Sequence, residues 1–311
     1  MKNKIKYMNI ALTNRCNLKC VMCDIWKEKS KSDLFIGIIN KALEAKCLHE
    51  KLDITLTGGE PFLHKELWLL TDALLSKNPR WFKGISTNGT RTKDVAHYLD
   101  DFSNRLPSDF TLHISMDGIN CHDHQRGRSR DKILNTIHAV REAHPSVKIK
   151  IKFTITHVNC TDIIPTFRFC QKNGLDFRAK LAEYAGNYTN RINQRSFTFD
   201  DAVKKSIIRD LLKLGKEKYR LRDQNAAFVA EMVRFLKGNV RQGICDVPSQ
   251  RVFLMSNADV FTCIHFPRIG NLHNNSLDRI WASAIAEKHR NIIKQDGCGG
   301  CISYHGARVS L

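Results

Sequence analysis

Cys16-Asn-Leu-Lys-Cys20-Val-Met-Cys23 places three thiols at C-x3-C-x2-C spacing, directly after the alternating run Ile5 to Leu12. Three cysteines in eight residues can reach one centre. Thiolates suit soft metals, either zinc completed by a fourth ligand from elsewhere or an iron–sulfur cluster held by cysteine sulfurs. On a four-iron cluster three ligands leave one iron open to a substrate or cofactor. The plain alternative is three buried thiols that happen to fall together.

Outward from this stretch the pattern repeats. Lys6 to Thr13 reads as a first strand that delivers the cysteine loop at its C-terminal end, and a helix is expected over Leu34 to Ala45. Leu52 to Thr57 alternates as a second strand, and Gly58-Gly59 after it lets the backbone come close to a ligand, unless the pair is a simple turn. Glu60 can then bind an ammonium group, and Pro61 stiffens the exit into a helix over Lys65 to Ser76. Strands follow at Gly84 to Thr87, Phe110 to Ser115, Lys148 to Thr156 and Asp176 to Leu181, with helices at Thr92 to Tyr98, Asp131 to Ala143 and Ile163 to Asn173. Six strands alternating with helices argue for parallel β/α units, with motif residues at the ends of strands one to four gathered on one face of a barrel. Because only about six units fit before residue 190, the fold class expected is α/β, a partial (β/α)6 TIM-like barrel open on one side.

Composition sets limits. With 311 residues, 42% hydrophobic and 26% charged, the chain can bury one large domain and a small one. No apolar run approaches the ~20 residues needed to cross a bilayer, and the N-terminus leads straight into a strand, so no membrane contact and a cytoplasmic location are expected. Eleven cysteines without a signal peptide point to metal binding in place of disulfides. Seven fall into two spaced groups; Cys47, Cys121, Cys160 and Cys170 are dispersed and read as ordinary thiols. The formal net charge of +19 favours anionic partners, although the basic runs are short and suit a solvated face as well.

Four stretches together resemble the radical S-adenosylmethionine (radical SAM) superfamily: the cysteine triplet, Thr57-Gly58-Gly59-Glu60-Pro61, Ser86-Thr87-Asn88-Gly89 and Ser115-Met116-Asp117-Gly118. The resemblance implies that Cys16, Cys20 and Cys23 bind a 4Fe-4S cluster whose open iron takes the amino and carboxylate groups of S-adenosyl-L-methionine. Reductive cleavage would then give a 5'-deoxyadenosyl radical that abstracts a hydrogen atom from substrate. It also implies that Gly58, Gly59 and Glu60 hold the methionine end, and that Ser86, Asn88, Ser115 and Asp117 meet the ribose and carboxylate. Met22 stands where many members carry an aromatic residue, and a methionine fills the same apolar role.

After residue 190 the pattern turns helical, with apolar stripes over Asp201 to Lys216 and Gln224 to Leu236 that suit helices bridging or covering the barrel. The tail then carries Cys245, Cys263 and Cys298-Gly-Gly-Cys301. Four soft ligands with a closing C-x2-C pair can complete zinc or hold a cubane cluster with no open iron. Between them Val252 to Met255 and Asp259 to Cys263 read as two strands joined by a turn at Ser256-Asn257-Ala258, followed by a helix over Leu277 to Lys288. This arrangement resembles the SPASM and twitch domains attached to many radical SAM enzymes, the shorter twitch form most closely, and implies a second, auxiliary 4Fe-4S cluster. The expected organisation is a barrel at 1–190, a helical bridge at 191–243 and an auxiliary domain at 244–311.

A closed auxiliary centre makes net oxidation or cross-linking the natural outcome, in ribosomal peptide maturation or in sugar or aminocyclitol dehydrogenation. The expected partners are an electron donor such as flavodoxin or ferredoxin and a peptide or small sugar-like substrate bearing an anionic group. For a group handling protons near the substrate the candidates are His113, Lys180, Glu183 and Tyr184, with Arg126 or Arg128 as an anion clamp. A nucleic-acid-modifying or nucleic-acid-binding iron–sulfur protein is the alternative from another class, motivated by charge; no aromatic-interleaved basic motif supports it.

Overall fold

The computed structural model describes residues 3–183, 198–216, 226–239 and 245–295. Its strands β1 (Ile5–Ala11), β2 (Leu48–Thr57), β3 (Phe82–Thr87), β4 (Thr111–Ser115), β5 (Lys148–Ile155) and β6 (Asp176–Leu181) each turn one set of side chains into the core. Ile10, Leu56, Ile85, Leu112, Ile151 and Leu181 are fully buried there. The helices α1 (Ile36–Leu43), α2 (Leu67–Lys77), α3 (Thr92–Phe102), α5 (Arg130–Ala143) and α6 (Ile163–Lys172) supply the facing layer through Ile39, Leu70, Leu99, Ile137 and Phe167. Between them lies α4 (His122–Arg126), a single turn and a half that no apolar period in the sequence announces.

The alternate strand positions are polar: Asn9, Thr55, Ser86, His113, Lys150, Lys152 and Arg178. A sheet so patterned is covered by helices on one face only, and its other face lines a channel. All neighbouring pairs from β1 to β6 are parallel, as strand–helix repeats require.

Among the described residues nine strands form one sheet in the order β6-β5-β4-β3-β2-β1-β7-β8-β9. The tail hairpin is thus continuous with the barrel. β7 (Arg251–Leu254) lies parallel to β1, with Met8 opposite Val252, and β8 (Asp259–Phe261) and β9 (Gly270–Asn271) extend it antiparallel. The β7–β8 turn closes at Ala258, whose φ of 65° is the only positive value at a described non-glycine residue.

β6 and β9 are opposite edges, so the barrel is open, as the sequence implies. It is nevertheless curled. If flat, seven strand spacings would hold β6 and β8 about 34 Å apart. Glu183, two residues past β6, lies 3.6 Å from His265, four residues past β8.

The helices α7 (Asp201–Lys216) and α8 (Ala226–Leu236) pack together, α7 also on α6, through Leu211, Leu214, Phe228 and Met232. After α9 (Val247–Gln250), the helix expected over Leu277 to Lys288 is two: α10 (Leu277–Trp281) and α11 (Ala284–Gln295). Arg290 Nη2 donates to the Trp281 carbonyl at 2.7 Å and its guanidinium stacks on the indole at 4.4 Å, while Ser283 Oγ accepts from Ala286 N at 3.3 Å and starts the second helix. α10 is fastened to the front of the chain: Asp278 accepts from the amides of Lys46 and Cys47 at 3.0 and 2.7 Å, and Trp281 Nε1 donates to the Asn3 carbonyl at 2.9 Å. No described helix is long and apolar enough to cross a membrane.

Candidate functional site

The cysteine loop leaves β1 at Leu12 and is pinned by its neighbours. Thr13 Oγ1 donates to Asp33 at 2.5 Å, Gly59 N to the Thr13 carbonyl at 2.7 Å, and Glu60 N to the Arg15 carbonyl at 2.8 Å. The two glycines serve this contact. A Cβ on Gly58, whose φ is +139°, would stand 2.5 Å from the Thr13 oxygen, and one on Gly59 would collide with the Arg15 carbonyl. The close approach is therefore made by the cysteine loop itself.

Glu60, expected to meet an ammonium group, is fully buried and turned into the protein. Its carboxylate accepts from Phe62 N at 3.2 Å, Thr87 Oγ1 at 2.7 Å and Asn88 N at 2.7 Å. Burial pushes its pKa up to about 7 against the pull of those three donors. Asn88 connects this carboxylate to the cysteines. Its Nδ2 donates to Asn17 Oδ1 at 2.8 Å and lies 4.0 Å from Cys16 Sγ, so the ends of β2 and β3 and the loop form one unit.

Asp117, expected at the ribose, is also wholly buried. Arg126 Nε donates to it at 2.5 Å, Gln125 Nε2 at 3.0 Å and Thr154 N at 2.7 Å. His122 Nδ1 accepts the Asp117 amide at 3.1 Å, and burial holds that imidazole down at about 4. Arg126, expected as a substrate clamp, is thus committed to Asp117 and directs Nη1 to Cys20 Sγ at 3.8 Å. Burial would lower its pKa, but Asp117 and the thiols outweigh this and raise it. Arg128 is exposed. Of the other two expected contacts, Ser86 Oγ accepts from Lys152 Nζ at 2.8 Å, and Ser115 stands opposite Lys152 in register; both are partly exposed on the channel face.

Burial raises Cys16, with Glu60 and Cys23 adding to the rise, and burial brings Cys20 to about 11, where Arg126 opposes the rise and Cys23, Asp117 and Cys16 add to it. Around one ion their sulfurs would have to converge, and among the described residues no three His, Cys, Asp or Glu side chains do so. The donor set still fits an iron–sulfur cluster: three soft sulfurs on one loop, with a guanidinium beside one of them to offset thiolate charge. In the tail Cys245 and Cys263, each 8% exposed, share a small apolar nest with Val247, Phe253 and Phe266. Cys298 and Cys301 lie outside the described residues, as does Tyr184.

Of the proton-handling candidates, Lys180 is 2.9 Å from Glu183, whose side chain is 5% exposed and also faces His265. His113 projects into the channel beside Lys150 and Lys152, where burial and these cations hold it well below the ordinary histidine range. Sequence reasoning missed Thr87, Asn17, His122 and Gln125. Thr87 and Asn17 lie within the quoted motifs, and His122 and Gln125 in the polar run that follows Asp117-Gly118.

A family model described as the radical SAM superfamily matches residues 10–167, and one described as an iron–sulfur cluster-binding domain, SPASM, matches residues 245–302. Among curated proteins, the sporulation killing factor maturation protein SkfB of Bacillus subtilis is 27% identical over 206 residues, 62% of this chain and 47% of SkfB. The GTP 3',8-cyclase of Aliarcobacter butzleri is 24% identical over 209 residues, 64% of this chain and 61% of the cyclase. The probable GTP 3',8-cyclase of Methanocaldococcus jannaschii is 25% identical over 249 residues, 75% and 80% of the two chains. The chain therefore spans about half of SkfB's length and three-fifths of the Aliarcobacter cyclase. Among solved structures, Streptococcus suis SuiB bound to precursor peptide SuiA superposes with a TM-score of 0.68 at 16% identity, over 93% of this chain and 67% of SuiB. The protein anSMEcpe, with bound AdoMet and a Cp18Cys peptide, superposes with a TM-score of 0.66 at 16% identity, over 94% and 83%.

Proposed function

Since the chain belongs to the radical SAM superfamily and carries a SPASM domain, we propose that it oxidises or cross-links a residue of a ribosomally made peptide. The observation that carries its superfamily chemistry is the joining of three motif ends at one mouth of the barrel by Asn88, through Glu60 on one side and Asn17 and Cys16 on the other.

Cys16, Cys20 and Cys23 would hold the first 4Fe-4S cluster, and Cys245, Cys263, Cys298 and Cys301 an auxiliary one. When bound, the first cluster with S-adenosyl-L-methionine supplies reductive cleavage of the sulfonium and removal of a hydrogen atom from substrate. The chain's own residues position and insulate that chemistry. Glu60 fixes the turn that presents the backbone of Gly58 and Gly59, and Ser86, Asn88 and Ser115 are left to meet the nucleoside and carboxylate. Asp117 acts one step removed, holding Arg126 against the cysteine loop. At the barrel's seam the Lys180–Glu183–His265 set is the proposed source of a proton acceptor, with His113 on the channel face and Tyr184, outside the described residues, as the other candidates.

SuiB solved with a precursor peptide, anSMEcpe solved with a peptide, and SkfB named for maturation of a killing factor support the peptide reading. The cyclase relatives favour a nucleotide as a second reading. A flavodoxin- or ferredoxin-type donor and the reducing cytoplasm are proposed with the first.

The test is anaerobic reconstitution with iron and sulfide, then iron counting, chromatography for 5'-deoxyadenosine, and mass spectrometry of a short peptide encoded beside this gene. About eight iron atoms per chain, with loss of two hydrogens from the peptide, are expected. Deoxyadenosine formed with GTP and not with the peptide would replace the first reading by the second.

A further inference from the structure

We propose that the segment from Trp26 to Phe35, which runs along the cysteine loop, is the docking surface for a small acidic protein that carries single electrons. The inference rests on the preceding reading in one respect, that the first centre must be supplied with an electron; it adds where the supplier sits and what holds it there.

After the third cysteine the chain turns back beside the loop it has just left. Asn14 Nδ2 donates to the Ser30 carbonyl at 2.8 Å, Asn14 Oδ1 accepts from Ser32 N at 2.8 Å, and Asn14 N donates to the Ser32 carbonyl at 3.1 Å. Residues 27–31 are all exposed, and Cys16 and Cys23 keep partial exposure. Leu34 then dives into the core, its amide donating to the Leu12 carbonyl at 2.7 Å, and Phe35 opens α1 in the helical layer. The segment thus belongs to the exterior of the barrel. A protein seated on it leaves the channel to the substrate.

Charge selects the partner. Between residues 15 and 33 five cations, Arg15, Lys19, Lys27, Lys29 and Lys31, accompany three carboxylates, Asp24, Glu28 and Asp33. Two of the carboxylates are engaged within the fold: buried Asp24 pairs with Lys27 at 2.8 Å, and Asp33 holds Arg15 at 3.2 Å and Thr13 at 2.5 Å. That leaves Lys19, Lys29 and Lys31 against Glu28, all four exposed. Lys31 reaches the carbonyls of Ile25 and Trp26 at 3.4 Å, and Lys19 stands 5.7 Å over the Trp26 ring. These are neutral groups, so the positive charge persists at the surface and draws an acidic protein toward it. Phe35, 62% exposed, is the most exposed large apolar side chain among the described residues, and Trp26 is partly exposed. Aromatic side chains beside a charged rim suit a protein interface, in which charge steers and apolar contact holds. Electron transfer weakens steeply with distance, and this segment is hydrogen-bonded to the residues that lead into Cys16. At each encounter the reduced carrier gives up one electron, which enters the centre held by the three cysteines.

The experiment uses the full-length, anaerobically reconstituted protein and two readouts. Surface plasmon resonance measures binding of a flavodoxin and of an acidic [2Fe–2S] ferredoxin. Chromatography measures 5'-deoxyadenosine formed with the reduced carrier and, separately, with dithionite, which requires no docking. Saturable binding of an acidic carrier is expected, with Kd raised at least about fivefold by Lys29→Glu and by Phe35→Ser and nearly unchanged by Lys29→Arg. Lys172→Glu, the same change in net charge at the exposed C-terminal end of α6, should leave Kd unaltered. The ratio of carrier-driven to dithionite-driven product should fall in step with binding, which separates lost docking from lost folding. The proposal is overturned if neither carrier binds, if Lys172→Glu weakens binding as much as Lys29→Glu, or if the ratio is unchanged in both surface variants. A concentration-dependent dimer that Phe35→Ser abolishes would assign the surface to a second copy of the chain and overturn it too. Carrier binding with no sulfonium cleavage by dithionite would sink the function proposed above and leave this surface standing; cleavage by dithionite with no carrier binding would do the reverse.

Discussion

Asp117 and Arg126 form a buried ion pair whose charges have little water to turn to: their side chains are 0% and 11% exposed. Removing one charge of such a pair costs about 3–5 kcal/mol because the other stays behind. Asp117→Asn should therefore destabilise by that order in chemical denaturation, and Asp117→Asn with Arg126→Met should recover part of the loss. Arg126→Met alone should also lower iron retention, since Cys20 then loses the neighbouring charge that favours its thiolate. His122 gives a cleaner pH signature. Its folded pKa of about 4 lies below the ordinary value of 6.5, so the unfolded chain binds the extra proton first. That contribution is complete above pH 6.5 and is lost as pH falls toward 4, about 3 kcal/mol in all. His122→Asn keeps an acceptor for the Asp117 amide and should flatten the acid limb of stability between pH 6.5 and 4; an unchanged slope would refute the assignment.

At the scale of elements, the junction of β2 with the cysteine loop tolerates no side chain at residue 59. Gly59→Ala should push the Arg15 carbonyl aside and lower the thermal midpoint and bound iron together, whereas Gly127→Ala, with open space around its Cβ position and a φ of 80°, should cost stability alone. Strands and helices of the barrel were legible because runs such as Leu52 to Thr57 and Lys148 to Ile155 alternate buried with less buried residues and the helices turn apolar side chains to the sheet. The short α4 was not, since five residues carry no readable period. The split of α10 from α11 depends on Arg290 reaching back nine residues to a carbonyl, which spacing cannot reveal. Likewise Glu60 and Asp117 were legible as important residues and not as buried ones, because burial is decided by which strands arrive beside them.

For the whole molecule, the pairing of β7 with β1 is the link a sequence reading could not supply, being set between segments more than two hundred residues apart. A chain ending at residue 243 would leave β1 with an unpaired edge and lose the Asp278 and Trp281 anchors. An exposed strand edge is a template for association. That truncated chain should elute as aggregates in size-exclusion chromatography under conditions where the full chain does not, and a monodisperse profile would contradict the central place given to β7.

The same pairing has a consequence for the order of events on the ribosome. β1 is made well before its second neighbour, which is translated about 240 residues later, a delay of roughly 12 to 48 s at 5–20 residues per second. Through that interval the nascent chain carries its thiol loop beside an unfinished wall, so the strand that delivers the loop gains its second neighbour only after the tail has been made.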